Sequence, residues 1–176
     1  MHLNNLPAYT YVENFNANLI NNIAKKVCII YRNYKETNID HILRIRNLCK
    51  KKGRKFYLSN NIKLAIKLKL DGVYIPSFNK SLNVRYFKYC KKFELIGSAH
   101  TFKEVKIKEK QNASKIFVSP LFKTIKSENY LGIYRFINLR NKTKKKIICL
   151  GGLNKKNLKK IKLIKPNGYA SISLFQ

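Results

Sequence analysis

At 176 residues, 45% of them hydrophobic and with 11 Tyr and 10 Phe, the chain can bury one real core without disulfide or metal staples. No apolar run approaches the roughly 18 residues of a membrane span, and the opening MHLNNLPAYTYV has neither the basic nor the apolar region of a signal peptide, so a soluble, cytoplasmic, single-domain protein over residues 1–176 is expected. The net charge of +30 invites a nucleic-acid reading, yet only seven of the 38 basic residues are Arg and the lysines are scattered along the whole chain, which favours a solvated basic surface over specific nucleic-acid recognition.

Alternation over 9–15 predicts a strand, and Leu19, Ile20 and Ile23 at helical spacing predict a helix over 16–25. The continuous apolar run VCIIYR at 27–32 predicts a buried strand, and apolar residues at 39, 42, 43, 45 and 48 predict a helix that stops at Gly53. A short strand at 55–59, a helix capped by Asn60 or Asn61 and carrying Leu64, Ala65 and Leu68, and a strand at 72–75 come next. Residues 82–92 read as helix, 95–98 as strand and 101–111 as a helix opened by a T-x-x-E capping box, Thr101 with Glu104. Strands at 116–119, 147–150 and 169–174 are separated by helices within 130–141 and at 158–164.

Eight strands alternating with about seven helices, spaced by roughly 20 to 25 residues, are the pattern of parallel βα units. The count of eight predicts an α/β fold, a compact TIM-type (β/α)8 barrel with short loops. The sequence stops at Gln176, directly after strand eight, so the final helix is absent from the pattern. The outer face left beside the first helix suits a homodimer partner or the N-terminal segment.

Chemistry in such barrels gathers at the C-terminal ends of the strands, with phosphate sites on the loops after strands seven and eight. Strand seven ends in Gly151-Gly152, and Asn154 then opens a basic, helix-patterned segment. Glycine lets backbone approach an anion closely, and a helix start supplies free N–H groups, so this turn is a candidate phosphate cradle. Ser171 and Ser173, near the end of strand eight, can add hydroxyl or backbone donors. The remaining strand ends carry Glu13 and Asn14; Arg32, Asn33 and Lys35; Ser59, Asn60 and Asn61; Ser77 and Asn79; Ser98 and His100; and Ser119, Thr124 and Lys126. Such a donor-rich rim suits a phosphate or diphosphate ligand. Cys28, Cys49, Cys90 and Cys149 show no CxxC spacing, and Cys28 and Cys149 lie in apolar runs, as buried free thiols do.

The series YRNYK (31–35), LDGVYIPS (70–77), LIGSAHT (95–101), FVSPLFKT (117–124) with LGI (131–133), and CLGGLN (149–154) resembles, in order and spacing, the thiamine phosphate synthase and TenI superfamily over essentially the whole chain. The resemblance implies a compact (β/α)8 barrel that joins a pyrimidine diphosphate to a thiazole phosphate through a carbocation-like pyrimidine, with Mg2+ on the leaving diphosphate. It implies that Gly151, Gly152 and Ser173 hold the thiazole phosphate, that Arg32, Ser98 and Lys126 meet the diphosphate, and that Thr124 lies in the thiazole pocket. Ile30 and Tyr34 stand where the family has Gln and Lys, with Lys35 one place late. Ser59-Asn60 replaces the family's Asn-Asp, and Asn79 replaces its second metal-binding acid, so any metal site at Asn60 and Asn79 is degenerate and Mg2+ is expected only as a substrate-bound ion. His100 falls where the TenI branch, a metal-independent thiazole tautomerase, places its proton shuttle. A barrel that binds phosphate ligands or nucleic acid without turnover is the non-enzymatic alternative.

Overall fold

A computed structural model describes residues 5–88, 90–125 and 128–175. Eight parallel strands pair in chain order and close on themselves: β1 (Ala8–Val12), β2 (Val27–Tyr31), β3 (Phe56–Ser59), β4 (Gly72–Ile75), β5 (Glu94–Ala99), β6 (Lys115–Val118), β7 (Lys146–Leu150) and β8 (Gly168–Ala170). Ala8 pairs with both Val27 and Tyr169, which seals the barrel.

The period-two alternation of each strand divides its side chains between two cores. Inward go Tyr9, Tyr11, Ile30, Tyr57, Tyr74, Ile96, Phe117, Ile148 and Ala170. Their rings meet edge to face, Tyr9 with Phe117 at 4.9 Å and Tyr74 with Phe117 at 5.7 Å between centroids. The outward set packs against α1 (Ala17–Asn22), α2 (Ile39–Lys51), α3 (Ile62–Lys67), α4 (Phe102–Lys110) and α5 (Gly132–Asn141). Short polar side chains start four of these helices by accepting an N–H: Asn16, Asn38, Asn61 and Thr101. The Thr101 capping box is half made, because Glu104 takes the N–H of His100 instead of that of Thr101.

Glu94 closes the base of the barrel. Its carboxylate accepts from Lys55, Lys115 and the Tyr57 hydroxyl.

Three predicted elements differ from those observed. The helix expected over 82–92 is a 3-10 turn at Leu82–Tyr86, and the backbone is extended again at Phe87. Leu82, Val84 and Tyr86 alternate and bury only Val84, so no helical face exists to be packed. The helix expected to open at Asn154 is a 3-10 segment, Leu158–Ile164. Its apolar residues Leu158, Ile161 and Ile164 are spaced by three, the repeat of a 3-10 helix, and Lys165 at φ 42° followed by Pro166 ends it. Strand eight is cut to Gly168–Ala170, after which the chain turns so that Phe175 stacks on Tyr169 with centroids 6.1 Å apart.

Candidate active site

The loop after β7 is built on two left-handed glycines, Gly151 at φ 90° and Gly152 at φ 70°. A Cβ on Gly151 would lie 2.8 Å from the Pro120 Cα, and one on Gly152 would lie 2.5 Å from the carbonyl oxygens of Phe122 and Lys123. Both conformation and contact therefore demand glycine. The loop is tied to its neighbour by Leu121 N–H donating to the Leu150 carbonyl at 2.8 Å and Phe122 N–H to that of Gly151 at 3.1 Å. On the other side, Asn154 and Asn157 exchange side-chain to backbone bonds of 2.9 and 3.0 Å, and Asn157 Nδ2 donates to the Gly152 carbonyl at 2.6 Å.

Of the hydroxyl or backbone donors expected from Ser171 and Ser173, the hydroxyls are engaged within the loop. Both hydroxyls donate to the Leu153 carbonyl at 3.1 Å, which commits their protons to bracing the turn. What remains for a ligand is backbone: the N–H groups of Gly151, Gly152, Ile172 and Ser173 meet no acceptor among the described residues. Free backbone N–H groups beside two φ-positive glycines are the components from which an anion nest is built. The cradle owes nothing to a helix N-terminus, since the 3-10 segment begins only at Leu158.

Four strands round the barrel, β2 to β5 end in a wall of donors. Arg32 lies over the Tyr11 ring at 4.5 Å and pairs with Glu13 at 3.4 Å. Lys35 is exposed, its N–H held by Asn33 Oδ1. Tyr34, which the sequence reading left without a role, leans over the mouth: it accepts from the Ser59 hydroxyl at 3.1 Å and its ring meets Phe78 edge-on at 5.4 Å. Asn60 and Asn79 are brought together, with Asn79 Nδ2 donating to Asn60 Oδ1 at 2.7 Å. The Ser81 N–H donates to Asn79 Oδ1 at 3.0 Å, and this contact fixes which end of the amide is oxygen. Each amide oxygen thus already accepts a bond, and the remaining N–H groups are the ones on offer.

The family model described as Thiamine monophosphate synthase matches residues 12–175. This chain belongs to that family. Thiamine-phosphate synthase of Helicobacter pylori (strain HPAG1) is 28% identical over 125 residues, covering 68% of this chain and 57% of the relative. The enzyme of the same name from Phocaeicola vulgatus is 30% identical over 152 residues, 80% of this chain and 72% of the relative. The chain therefore spans a little over half the length of the first of these relatives. Thiamine phosphate pyrophosphorylase from Pyrococcus furiosus shares the fold with a TM-score of 0.75 at 17% identity, covering 95% of this chain and 85% of that one.

Within this barrel, Ser98 is buried at the end of β5 and hydrogen-bonded to Tyr74. Burial raises the Tyr74 hydroxyl pKa, and the hydrogen bonds from Ser98 and Tyr11 oppose that rise. His100 is exposed beyond the same strand. Its Nδ1 lies 2.9 Å from the Ser119 carbonyl, an atom that can only accept, so Nδ1 carries the proton and Nε2 is left as the acceptor. Thr124 is half-buried in the β6 to α5 loop, and Lys126 lies outside the described residues.

Family membership raises the question of Mg2+, and the side chains present do not fit a protein-held ion. Mg2+ favours carboxylate oxygens, whereas Asn60 and Asn79 are amides whose oxygens already accept from Asn79 Nδ2 and the Ser81 N–H. Among the described residues no cluster of three or more His, Cys, Asp or Glu could hold a metal, and no helix is long and apolar enough to cross a membrane. The four thiols are free. Burial pushes Cys28 up to about 11 and Cys149 up to about 12, so neither is a nucleophile at neutral pH.

Sequence reasoning passed over one feature of this wall. Lys108 of α4 is fully buried, and its ammonium donates to the carbonyls of Pro76 and Asn79, both at 2.7 Å, and to Gln111 Oε1 at 3.0 Å. The available signal was its place on the apolar stripe of α4, three residues after Val105.

Proposed function

We propose that this chain is a transferase joining hydroxymethylpyrimidine diphosphate to hydroxyethylthiazole phosphate, forming thiamine phosphate and diphosphate in thiamine biosynthesis. The observation that supports the reading best is that donors stand on two sides of one barrel mouth: the backbone N–H groups at Gly151-Gly152, and the Arg32, Asn60 and Asn79 side chains across from them. The reaction needs two such sites, one for each phosphorylated partner.

In the reaction, the bond from the pyrimidine methylene carbon to the diphosphate oxygen breaks and its electron pair leaves with that oxygen. The lone pair of the thiazole nitrogen then forms the new carbon–nitrogen bond. The nest holds the thiazole phosphate and so aims the ring nitrogen, with Thr124 beside the ring. Arg32, Lys35, Lys126 and the free amide N–H groups of Asn60 and Asn79 receive the charge that develops on the departing diphosphate. Ser98 and Ser59 hold Tyr74 and Tyr34, which wall the pyrimidine side. Fixed N–H and guanidinium donors are weaker than a metal at this task, and the route these residues leave for Mg2+ is as an ion carried in on the diphosphate.

The test is purified protein with both substrates, with and without Mg2+, assayed for thiamine phosphate. Product formation is expected. Absence of product under every metal condition, with the thiazole phosphate still bound, overturns the synthase reading and leaves a phosphate-binding barrel.

A second reading has its own observation in His100, whose exposed Nε2 and anchored Nδ1 are the arrangement of a proton shuttle. It is a TenI-like, metal-independent tautomerisation of a thiazole carboxylate phosphate bound in the same cradle. Isomerisation abolished by His100→Ala, with no coupling activity in either protein, decides for it. A cytoplasmic homodimer burying the outer face at β8 belongs to both readings, and sedimentation measures it.

A further inference from the structure

The diphosphate half of the mouth is held in place from outside the barrel. Residue 97 points out of β5 toward α4, and a Cβ there would come within 2.8 Å of the Lys108 Cδ. Glycine opens a notch through which the lysine stem runs, fully buried, to the loop after β4. There its three N–H bonds match three carbonyl acceptors, those of Pro76, Asn79 and Gln111. Gln111 reinforces the grip: its Nε2 donates to the carbonyls of Asn79 at 3.0 Å and Ser81 at 2.8 Å. The Asn79 carbonyl thus receives two donors from the α4 end, and the same residue's side chain is locked by Ser81 and Asn60.

A buried ammonium is costly to desolvate, and burial lowers its pKa to about 8, so it persists only where its donors are all used. Sealing a helix to a barrel requires no ion, since apolar contacts do that without the desolvation cost. Within the loop the Asn79 N–H donates to the Pro76 carbonyl at 3.1 Å, so both ends of this turn are fixed from the α4 side and the Asn79 side chain projects from a held backbone.

We infer that Lys108 is a positioning residue for diphosphate: with Gln111 it fixes the backbone at Asn79 so that the Asn60–Asn79 pair presents N–H donors to a diphosphate anion where a family enzyme would present metal-binding acids. This rests on the synthase reading of the mouth. It predicts that the two halves of the site separate in a single variant.

Lys108→Met keeps the stem and removes the ammonium. Inorganic diphosphate titrated calorimetrically should bind this variant at least tenfold more weakly than wild type, while affinity for thiazole phosphate changes less than twofold. In turnover, KM for the pyrimidine diphosphate should rise and KM for the thiazole phosphate should not, a split that general loosening of the barrel would not produce. Lys103→Met, on the exposed face of the same helix, controls for the lost charge. If Lys108→Met does not fold, Gln111→Met removes two donors from the same loop and should show the same one-sided loss at roughly threefold.

Diphosphate affinity unchanged in both variants overturns the inference and leaves the synthase reading intact when wild type still makes thiamine phosphate. Equal weakening of both ligands also overturns it. Lys108-dependent diphosphate binding by a wild type that makes no product upholds the inference and sinks the synthase reading.

Discussion

The two ends of this barrel are both cationic, and they use the charge in opposite ways. At the base, Glu94 takes bonds from Lys55, Lys115 and Tyr57, so positive charge is cancelled by a carboxylate in place. At the mouth, two amides occupy the strand ends where carboxylates could stand, Glu13 reaches Arg32 only at 3.4 Å, and the N–H groups of the glycine turn and of the Asn60 amide are left without partners among the described residues. A satisfied donor set is architecture, and an unsatisfied one calls for a partner from outside the chain, which the proposed phosphorylated ligands would supply. The net charge of +30 distinguishes neither end, because it counts charges without their partners.

The largest effect should come from filling the nest. Gly152→Ala puts a Cβ 2.5 Å from two carbonyl oxygens at φ 70°, so the loop must move. Thiazole phosphate affinity should fall more than tenfold, on the order of 1.4 kcal/mol or more, in direct titration, with diphosphate binding retained.

Converting the mouth toward the base comes next. Asn79→Asp introduces a carboxylate that accepts where the amide donated. Inorganic diphosphate should bind roughly tenfold more weakly without metal, about 1.4 kcal/mol, and recover in millimolar Mg2+, measured by calorimetry. Equal binding in both conditions would show that the amide pair does not meet the anion.

The reverse change, Glu94→Gln, should cost stability and spare ligand affinity. Glu94 and Lys115 are largely buried whereas Lys55 is half-exposed, so a loss of roughly 1 to 3 kcal/mol lies between surface and buried ion pairs. Urea unfolding measures it, and ligand affinities within twofold of wild type are expected.

The smallest and slowest effect is with pH. Burial pushes the Glu94 carboxyl up, but the hydrogen bonds from Lys115 and Lys55 outweigh it and hold the group below its ordinary range. With the folded value below the unfolded one, the unfolded state binds more protons. The stabilisation is then complete above the ordinary carboxylate pKa, about 4.3, and disappears as pH falls through the folded value. Wild type and Glu94→Gln should therefore differ in urea midpoint at neutral pH and converge in acid.

Much of this was legible in the residues. Short apolar runs, one alternating stretch at 9–15 and the Asn and Thr caps are local signals, and they located all eight strands to within a few residues. Gly151-Gly152 was legible for the same reason, since a turn that excludes Cβ atoms must be written as glycine. The 82–92 and 158–164 segments differ in helix type or extent because helical propensity competes there with apolar residues that repeat every two or three positions.

The sequence alone determined the eight-strand alternation, the position of the Gly151-Gly152 turn and the lack of acids at Asn60 and Asn79, because each is carried by residues adjacent in the chain. Only the tertiary structure decided how those groups are used. Ser171 and Ser173 brace Leu153, Glu94 joins lysines from β6 and the edge of β3, and Lys108 crosses behind β5 to hold Asn79. A hydrogen bond depends on which atoms closure of the barrel brings within about 3 Å, and no local pattern encodes a partner 29 residues away.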